Sequence, residues 1–267
     1  MNTPNATPSD ADLPGEPFIF RDDDGSEPRI PASFTVRHMK VTGSTNDDLV
    51  RIGAKGAPDR LVLVADSQTA GKGRLNRRWE AKPGANLLVS LLFRVIPRYP
   101  HQLTHAVAMA AQTAASQVAG VTTAIKWPND LLAGGRKIAG ILSAAGGGQG
   151  LAGGPMFVVV GLGLNVGWAP EGAVSLDSES GRQVSREDVL ASLLTTLDKL
   201  LALDEQKLFQ LYRSRLDTLR RMVRIELPKG EVVEGRALDV EIDGRLKVLD
   251  QKGSTRLIDV GDIVHLR

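Results

Sequence analysis

Two apolar runs, Asn86–Val95 and Phe157–Val166, constrain the fold most. Each is rich in leucine and valine and ten residues long. That is far short of the roughly 20 residues a membrane-spanning helix needs. Both runs read as strands buried inside a sheet. Phe34–Val41 and Leu61–Ala65 are predicted as further strands. Four helices accompany them. One is capped by Ser44 or Thr45 and runs to about Lys55, with Asp47 or Asp48 closing a capping-box-like pair. Pro100–Ala119 is alanine-rich and apolar at helical spacing; another helix begins at Ser185, with Asp188 at its capping-box position; a fourth covers about Glu205–Leu219.

The segments between these elements are loops and turns. Ser67–Pro83 is a loop by its glycines and charges, and Gly146–Pro155 is a glycine-rich connector. After Ala124–Trp127 comes the turn signal Pro128-Asn129-Asp130. Leu131–Ala133 and Lys137–Leu142 then flank Gly134-Gly135, which fits a tight hairpin.

The last 45 or so residues change character. Val223–Leu227, Val232–Ile242, Leu246–Asp250 and Arg256–Leu266 are short strands separated by Lys229-Gly230, Asp243-Gly244 and Lys252-Gly253. That pattern predicts a small all-β barrel module. Residues 1–30 differ again, with seven acids against two arginines, while the whole chain carries +2. Few large apolar groups are available there to offset the entropy of ordering, so the segment reads as a mobile acidic tail. The expected organisation is a tail over 1–33, an α+β core over 34–221 with a mixed sheet and packed helices, and a β domain over 222–267.

The small net charge argues against a dedicated polyanion binder. The chain has no cysteine, which removes disulfides, thiol catalysis and thiolate-ligated metals. No secretory signal pattern opens the sequence. A cytoplasmic protein without a membrane partner is the expectation.

Four segments hold most of the unusual residues. The first is Gly43-Ser44-Thr45-Asn46 and the second is Gln68-Thr69-Ala70-Gly71-Lys72-Gly73-Arg74-Leu75-Asn76-Arg77-Arg78-Trp79. The third is Lys126-Trp127-Pro128-Asn129-Asp130 with Arg136-Lys137-Ile138-Ala139-Gly140-Ile141-Leu142, and the fourth is Gly161-Leu162-Gly163-Leu164-Asn165-Val166. Lys72, Arg74, Arg77, Arg78 and Lys82 crowd five cations into eleven residues, opposed only by Glu80. Gly71 and Gly73 let backbone N–H groups approach a ligand closely. A folded site of that density needs counter-anions. Taken alone, the segment could also be a solvated basic loop. Ser44, Thr45 and Asn46 alone could be helix caps, Lys137 an exposed edge charge, and Asn129 and Asp130 turn residues.

Together, in this order, the four segments resemble the biotin–protein ligase family, over roughly Phe34 to the C-terminus. The resemblance implies a biotin/lipoate ligase-like catalytic core followed by an SH3-like β-barrel domain. It implies an enzyme that joins the biotin carboxylate to the α-phosphate of ATP and passes the biotinyl group from biotinoyl-5′-AMP to a lysine of a biotin carboxyl carrier domain. That carrier domain would belong to an acyl-CoA or pyruvate carboxylase. ATP and biotin would be substrates, with Mg²⁺ accompanying ATP. The family places Ser44, Thr45, Asn46, Gln68, Lys72, Gly73, Arg74 and Lys137 at biotin. It places Arg74, Trp79, Lys126, Asn129, Asp130, Gly161, Gly163 and Asn165 at the nucleotide. Lys137 and Arg74 are the catalytic candidates, as electrostatic stabilisers of the forming acyl phosphate.

The sequence departs from the family pattern at two loop positions, where Lys72 replaces an arginine and Asn76 a glycine. Lys72 keeps the charge but loses the planar fork, and asparagine tolerates the left-handed conformation better than most residues. Other readings are weaker. Val166 occupies the third glycine position of a dinucleotide fingerprint, and Gly71-Lys72 is followed by Gly73 rather than the hydroxyl of a P-loop. His101 and His105 stand four apart, but Gln102 replaces the acid of a zinc motif. The arginine- and triple-glycine-bearing segment of lipoate ligases is missing. The short acidic N-terminus does not fit a DNA-binding module, so the ligase-only form is expected, as a monomer or weak homodimer that binds no DNA.

Overall fold

The computed structural model describes residues 13–18, 30–74, 77–146, 157–228, 230–259 and 261–266. Among these residues an eight-stranded mixed sheet is built from β1 (Glu16–Pro17), β2 (Thr35–Thr42), β3 (Leu61–Gln68), β4 (Leu87–Phe93), β5 (Ala124–Lys126), β6 (Asp130–Ala133), β7 (Arg136–Gly146) and β8 (Phe157–Leu164). The strand order is β1-β2-β3-β4-β8-β7-β6-β5. Only β2 and β3 pair in parallel; every other neighbour is antiparallel.

The two apolar runs become the adjacent central strands β4 and β8, with Ser90 opposite Gly161. Their continuous apolarity follows from cover on both faces. On one face, helix α1 (Thr45–Gly53) sets Leu49 and Ile52 against Leu61, Leu63, Leu92, Phe157 and Val159. Alternate residues of the same strands, Val62, Val64, Leu91, Val158 and Val160, turn to the other face. There they join α2 (His101–Ala119) and α4 (Arg186–Leu201) in the main core. The run of buried alanines in α2, from Ala106 to Ala115, lets its neighbours approach closely. The short helix α3 (Leu176–Ser180) carries its own Ser175–Ser178 capping box, and α5 (Glu205–Arg215) starts at Asp204. Sequence patterning did not identify α3.

The C-terminal strands β9 (Met222–Glu226), β10 (Val232–Val240), β11 (Leu246–Asp250), β12 (Thr255–Ile258) and β13 (Asp262–His265) form an antiparallel sheet. Its order is β12-β11-β10-β9-β13. The stretch read as one strand, Arg256–Leu266, is two strands in different places in that order. Helix α5 also ends at Arg215, earlier than the apolar spacing suggested.

Part of the segment read as a mobile tail is ordered. Glu16 and Pro17 pair with His38 and Arg37 on the sheet edge, and Leu13 is buried. Arg37 donates to the carbonyls of Pro14 and Gly15. Tail residues 1–12 and 19–29 lie outside the described residues, as do most of the glycine-rich connector, Leu75 and Asn76 of the cationic loop, and Lys229.

Two side chains of the core domain grip one turn of the C-terminal sheet. The buried Trp127 donates its indole N–H to Gly244 O at 2.9 Å, and the His101 Nε2 lies 2.8 Å from Ile242 O. Gly244 has φ of 87°, and a Cβ there would sit 2.9 Å from the His101 ring, so this turn accepts only glycine without rearrangement.

Candidate active site

The four segments meet around one cavity of about 260 Å³ on the sheet, roofed by the cationic loop and by β13. Its lining includes Ser44, Thr45, Asn46, Gln68, Lys72, Gly73, Arg74, Trp79, Asn129, Asp130, Lys137, Gly161, Gly163 and Asn165. Lys126 is the one residue of the expected set that does not face it. It is paired in β-register with Asp130 and lies within charge range of Lys137, Asp262 and Arg77 on the lining. Burial lowers the Lys126 ammonium below its usual value, and the Asp130 carboxylate raises it back.

One end of the cavity is neutral and densely hydrogen-bonded. Ser44 caps α1, accepting from the Asp47 N–H. Thr45 N–H donates to Gln68 Oε1 at 2.8 Å, and its hydroxyl is 2.7 Å from the Ser90 hydroxyl. Ser90 donates to Asn46 Oδ1 at 2.7 Å, and Asn46 Nδ2 donates to Leu142 O at 3.0 Å. Ser90 was missed from the sequence. It is the single hydroxyl in Leu87–Phe93, which was the available signal.

The opposite end is charged. Lys137 Nζ lies 2.6 Å from Asp130 Oδ1. Arg74 donates to Asn129 Oδ1 at 3.2 Å and to Gly261 O at 3.4 Å, while Asn129 Nδ2 donates to Ile141 O at 2.7 Å. Burial pushes the Arg74 guanidinium down from its usual value, and the Asp262 and Asp130 carboxylates push it back up. Five cationic side chains face three carboxylates on the lining, so the cavity retains positive charge for anionic ligands.

The described flanks of the cationic loop pair with each other. Gly73 N–H donates to Arg77 O at 2.7 Å and Trp79 N–H to Gly71 O at 3.0 Å. Its charges find carboxylates within the protein. Lys72 pairs with Asp47 at 2.7 Å, and Arg77 pairs with Asp262 of β13. These pairs offset part of the repulsion among the loop's cations. Asp262 had no sequence signal, since it comes from the other sheet.

The glycines of the fourth segment make room for side chains. A Cβ on Gly163 would lie 2.4 Å from the Trp79 ring, and one on Gly161 would lie 2.3 Å from Asn46 Oδ1. Trp79 thus packs against Gly163 and its cross-strand partner Gly140, with Lys137 Nζ 5.7 Å from the ring centroid. The groups packed against Gly163 and Gly161 in the structure are Trp79 and Asn46. Asn165 lines the cavity but is buried. Its amide accepts from Asn86 and donates to Val174 O at 3.0 Å, anchoring the segment after β8.

The arrangement can hold a ligand with a neutral hydrogen-bonding head and an anionic tail, and can set a second anion beside that tail. Comparison with known proteins gives this chemistry a context. Residues 38–165 match the biotin/lipoate A/B protein ligase family, and residues 218–266 match the biotin protein ligase C-terminal domain. A biotin–[acetyl-CoA-carboxylase] ligase from Mycobacterium tuberculosis is 39% identical over 241 residues, covering 85% of this chain and 87% of the relative. One of the same name from Paracoccus denitrificans is 31% identical over 239 residues, covering 80% and 90%. In fold, the biotin protein ligase from Aquifex aeolicus solved in complex with biotin and ATP superimposes with a TM-score of 0.72 at 22% identity, covering 86% of this chain and 99% of that one. Motif order, cavity chemistry and similarity over most of its length agree, and the chain belongs to the biotin/lipoate A/B protein ligase family.

Proposed function

We infer that this protein is a biotin protein ligase. It activates biotin with ATP and transfers the biotinyl group to a lysine of a biotin carboxyl carrier domain. A carboxylate oxygen of biotin attacks the α-phosphorus of ATP and pyrophosphate leaves, giving biotinoyl-5′-AMP. The acceptor amine then attacks the acyl carbon, AMP leaves, and the amine proton passes to solvent.

The observation that carries this reading is the two-ended cavity. A ureido ring needs both donors and acceptors, and Ser44, Thr45, Asn46 and Gln68 supply both at the neutral end. Lys137 and Arg74 stand at the charged end, where two anions must meet. Positive groups already in place there stabilise charge that develops in the transition state without reorganising. Lys72 and Gly73 wall the biotin side, and Trp79 and Asn129 the nucleotide side. The relative from Mycobacterium tuberculosis carries the name of the same activity.

The finer elements of this reading are Mg²⁺, the acceptor and the setting. Mg²⁺ commonly takes one or two carboxylates together with substrate phosphates. Asp130 is the cavity carboxylate beside Lys137 and fits that role. Bound there with ATP, the ion would neutralise phosphate charge. The acceptor is the carrier domain of an acyl-CoA or pyruvate carboxylase. The enzyme works in the cytoplasm as a monomer or weak homodimer, without DNA.

Purified protein given biotin, ATP and Mg²⁺ should release pyrophosphate, and adding a carrier domain should yield a biotinylated lysine. Pyrophosphate release with lipoate alone, or with neither acid, would overturn the assignment.

A further inference from the structure

A second cavity, also about 260 Å³, adjoins the first at the seam between the core sheet and the C-terminal sheet. The two share Arg74, Asn129, Ile141 and Leu142, so they meet at the charged end of the active site. The second is walled by Trp127, Pro128, His101, Thr104 and His105 on one side and by the turn Asp243–Arg245 with Asp259 on the other.

Three observations define what would fit. First, two side chains on its wall are more than nine-tenths buried yet unpartnered. Thr104 is 8% exposed with a free hydroxyl, and His105 is 4% exposed with a free Nδ1. Buried polar groups ordinarily have partners. Second, the charges on its lining are arranged unevenly, with Arg74 at the partition to the first cavity and Asp243, Arg245 and Asp259 on the C-terminal turn and its neighbour. Arg245 is held by Asp243 at 2.6 Å and lies 3.8 Å from Asp259, so two carboxylates face one guanidinium, and Asp259 remains mostly in solvent. The solvent-exposed Asp259 is thus a charge that an incoming ammonium meets first, while Arg74 stands at the partition with the first cavity. Third, Trp127, Pro128, Ile141 and Leu142 give the passage apolar walls, which suit an alkyl stem.

We propose that this seam cavity is the entry channel for the acceptor lysine. This rests on the ligase reading above. The lysine ammonium is drawn in past Asp259, its methylenes pass between Trp127, Pro128 and Leu142, and its nitrogen reaches the acyl adenylate at the Arg74–Asn129 partition. Thr104 and His105 offer hydrogen bonds along the way. The C-terminal sheet thereby forms half of the acceptor's path.

The test separates the half-reactions. Ser143 also lines this cavity but not the first. Ser143→Phe should fill the channel and slow transfer to a carrier domain by about 10-fold or more, the effect of misplacing one reactant. Asp259→Asn, at an exposed position, should raise the KM for the carrier domain by about 3-fold, as expected for one lost exposed charge contact. In both variants, biotin-dependent pyrophosphate release without acceptor, and trapping of the adenylate by hydroxylamine, should match the wild type. Equal losses in both half-reactions would assign the cavity to the nucleotide and overturn the proposal. Unchanged transfer in both variants would overturn it too. Failure of the ligase reading itself would show separately, as absent pyrophosphate release in the wild type.

Discussion

Arg77 of the cationic hairpin donates to the carboxylate of Asp262, 185 residues later in the chain and on the other sheet. The contact ties the roof of the active site to the C-terminal strand β13, and the neighbouring Gly261 carbonyl accepts from Arg74.

Asp262→Asn should therefore loosen the hairpin without unfolding the protein. An exposed ion pair contributes about 1 kcal/mol or less, so the thermal midpoint should hardly move. Tryptic cleavage after Arg74, Arg77 or Arg78 should accelerate, and the KM for ATP should rise. Wild-type cleavage kinetics in the variant would show that β13 does not hold the loop.

Lys137→Ala and Arg74→Ala should each slow adenylate formation by about 10²-fold or more, the scale of losing one donor to a developing oxyanion. Lys137→Ala also leaves Asp130 without its 2.6 Å partner, and because Asp130 is the carboxylate offered to Mg²⁺, the double variant Lys137→Ala/Asp130→Asn should release pyrophosphate more slowly still. Single-turnover pyrophosphate release measures all three. Wild-type rates would remove these cations from the mechanism.

Gly163→Ala forces a methyl group against the Trp79 ring, which a rigid indole cannot avoid by a small shift. Overpacking of this kind typically costs about 1–3 kcal/mol. The variant should melt earlier, show altered tryptophan emission and bind ATP more weakly. An unaltered spectrum and KM would mean that Trp79 does not depend on the glycine.

Burial, reinforced by the neighbouring His101, holds the His105 imidazole well below its usual value. Burial lowers His101 and His265 as well. As pH falls below about 6.5, the unfolded chain takes up protons that the native chain refuses. Stability is then complete above that pH and declines below it, by up to about 1.4 kcal/mol per pH unit for each histidine. His105 also stacks on Tyr212, with ring centroids 3.5 Å apart. His105→Phe can keep that packing and should flatten the decline seen in urea unfolding between about pH 7 and 5. An unchanged slope would assign the acid sensitivity elsewhere.

The sequence revealed the parts of this architecture that depend on local chemistry. Ser185 with Asp188 marked the start of α4, and the runs around Leu91 and Val160 announced strands covered on both sides. What it could not show were relationships between distant segments. Asp262 looks like an ordinary turn acid until β13 is placed beside the hairpin. Gly163 reads as room for a ligand until Trp79 arrives from another loop. Leu13 and Pro17 lie in a stretch too polar to predict as ordered, and it is the unpaired edge of β2 that holds them. Ser90 alone was locally visible and passed over, because one hydroxyl in an apolar strand has meaning only opposite its partners.

The hydrogen bonds around Ser90 run in one direction. Asn46 Nδ2 must point to the Leu142 carbonyl, so its oxygen faces Ser90 and Ser90 must give it its only proton. Ser90 can then only accept, and the single Thr45 hydroxyl proton is shared between Ser90 Oγ and Gln68 Oε1. Gln68 turns its oxygen to the Thr45 N–H, which leaves the amide nitrogen as its outward group. The protein has thus chosen which positions give protons and which receive them before any ligand arrives. A molecule of similar shape with that pattern inverted would have to flip a buried amide to bind. Selectivity at this end of the cavity is therefore a matter of handedness in proton donation, fixed by folding itself.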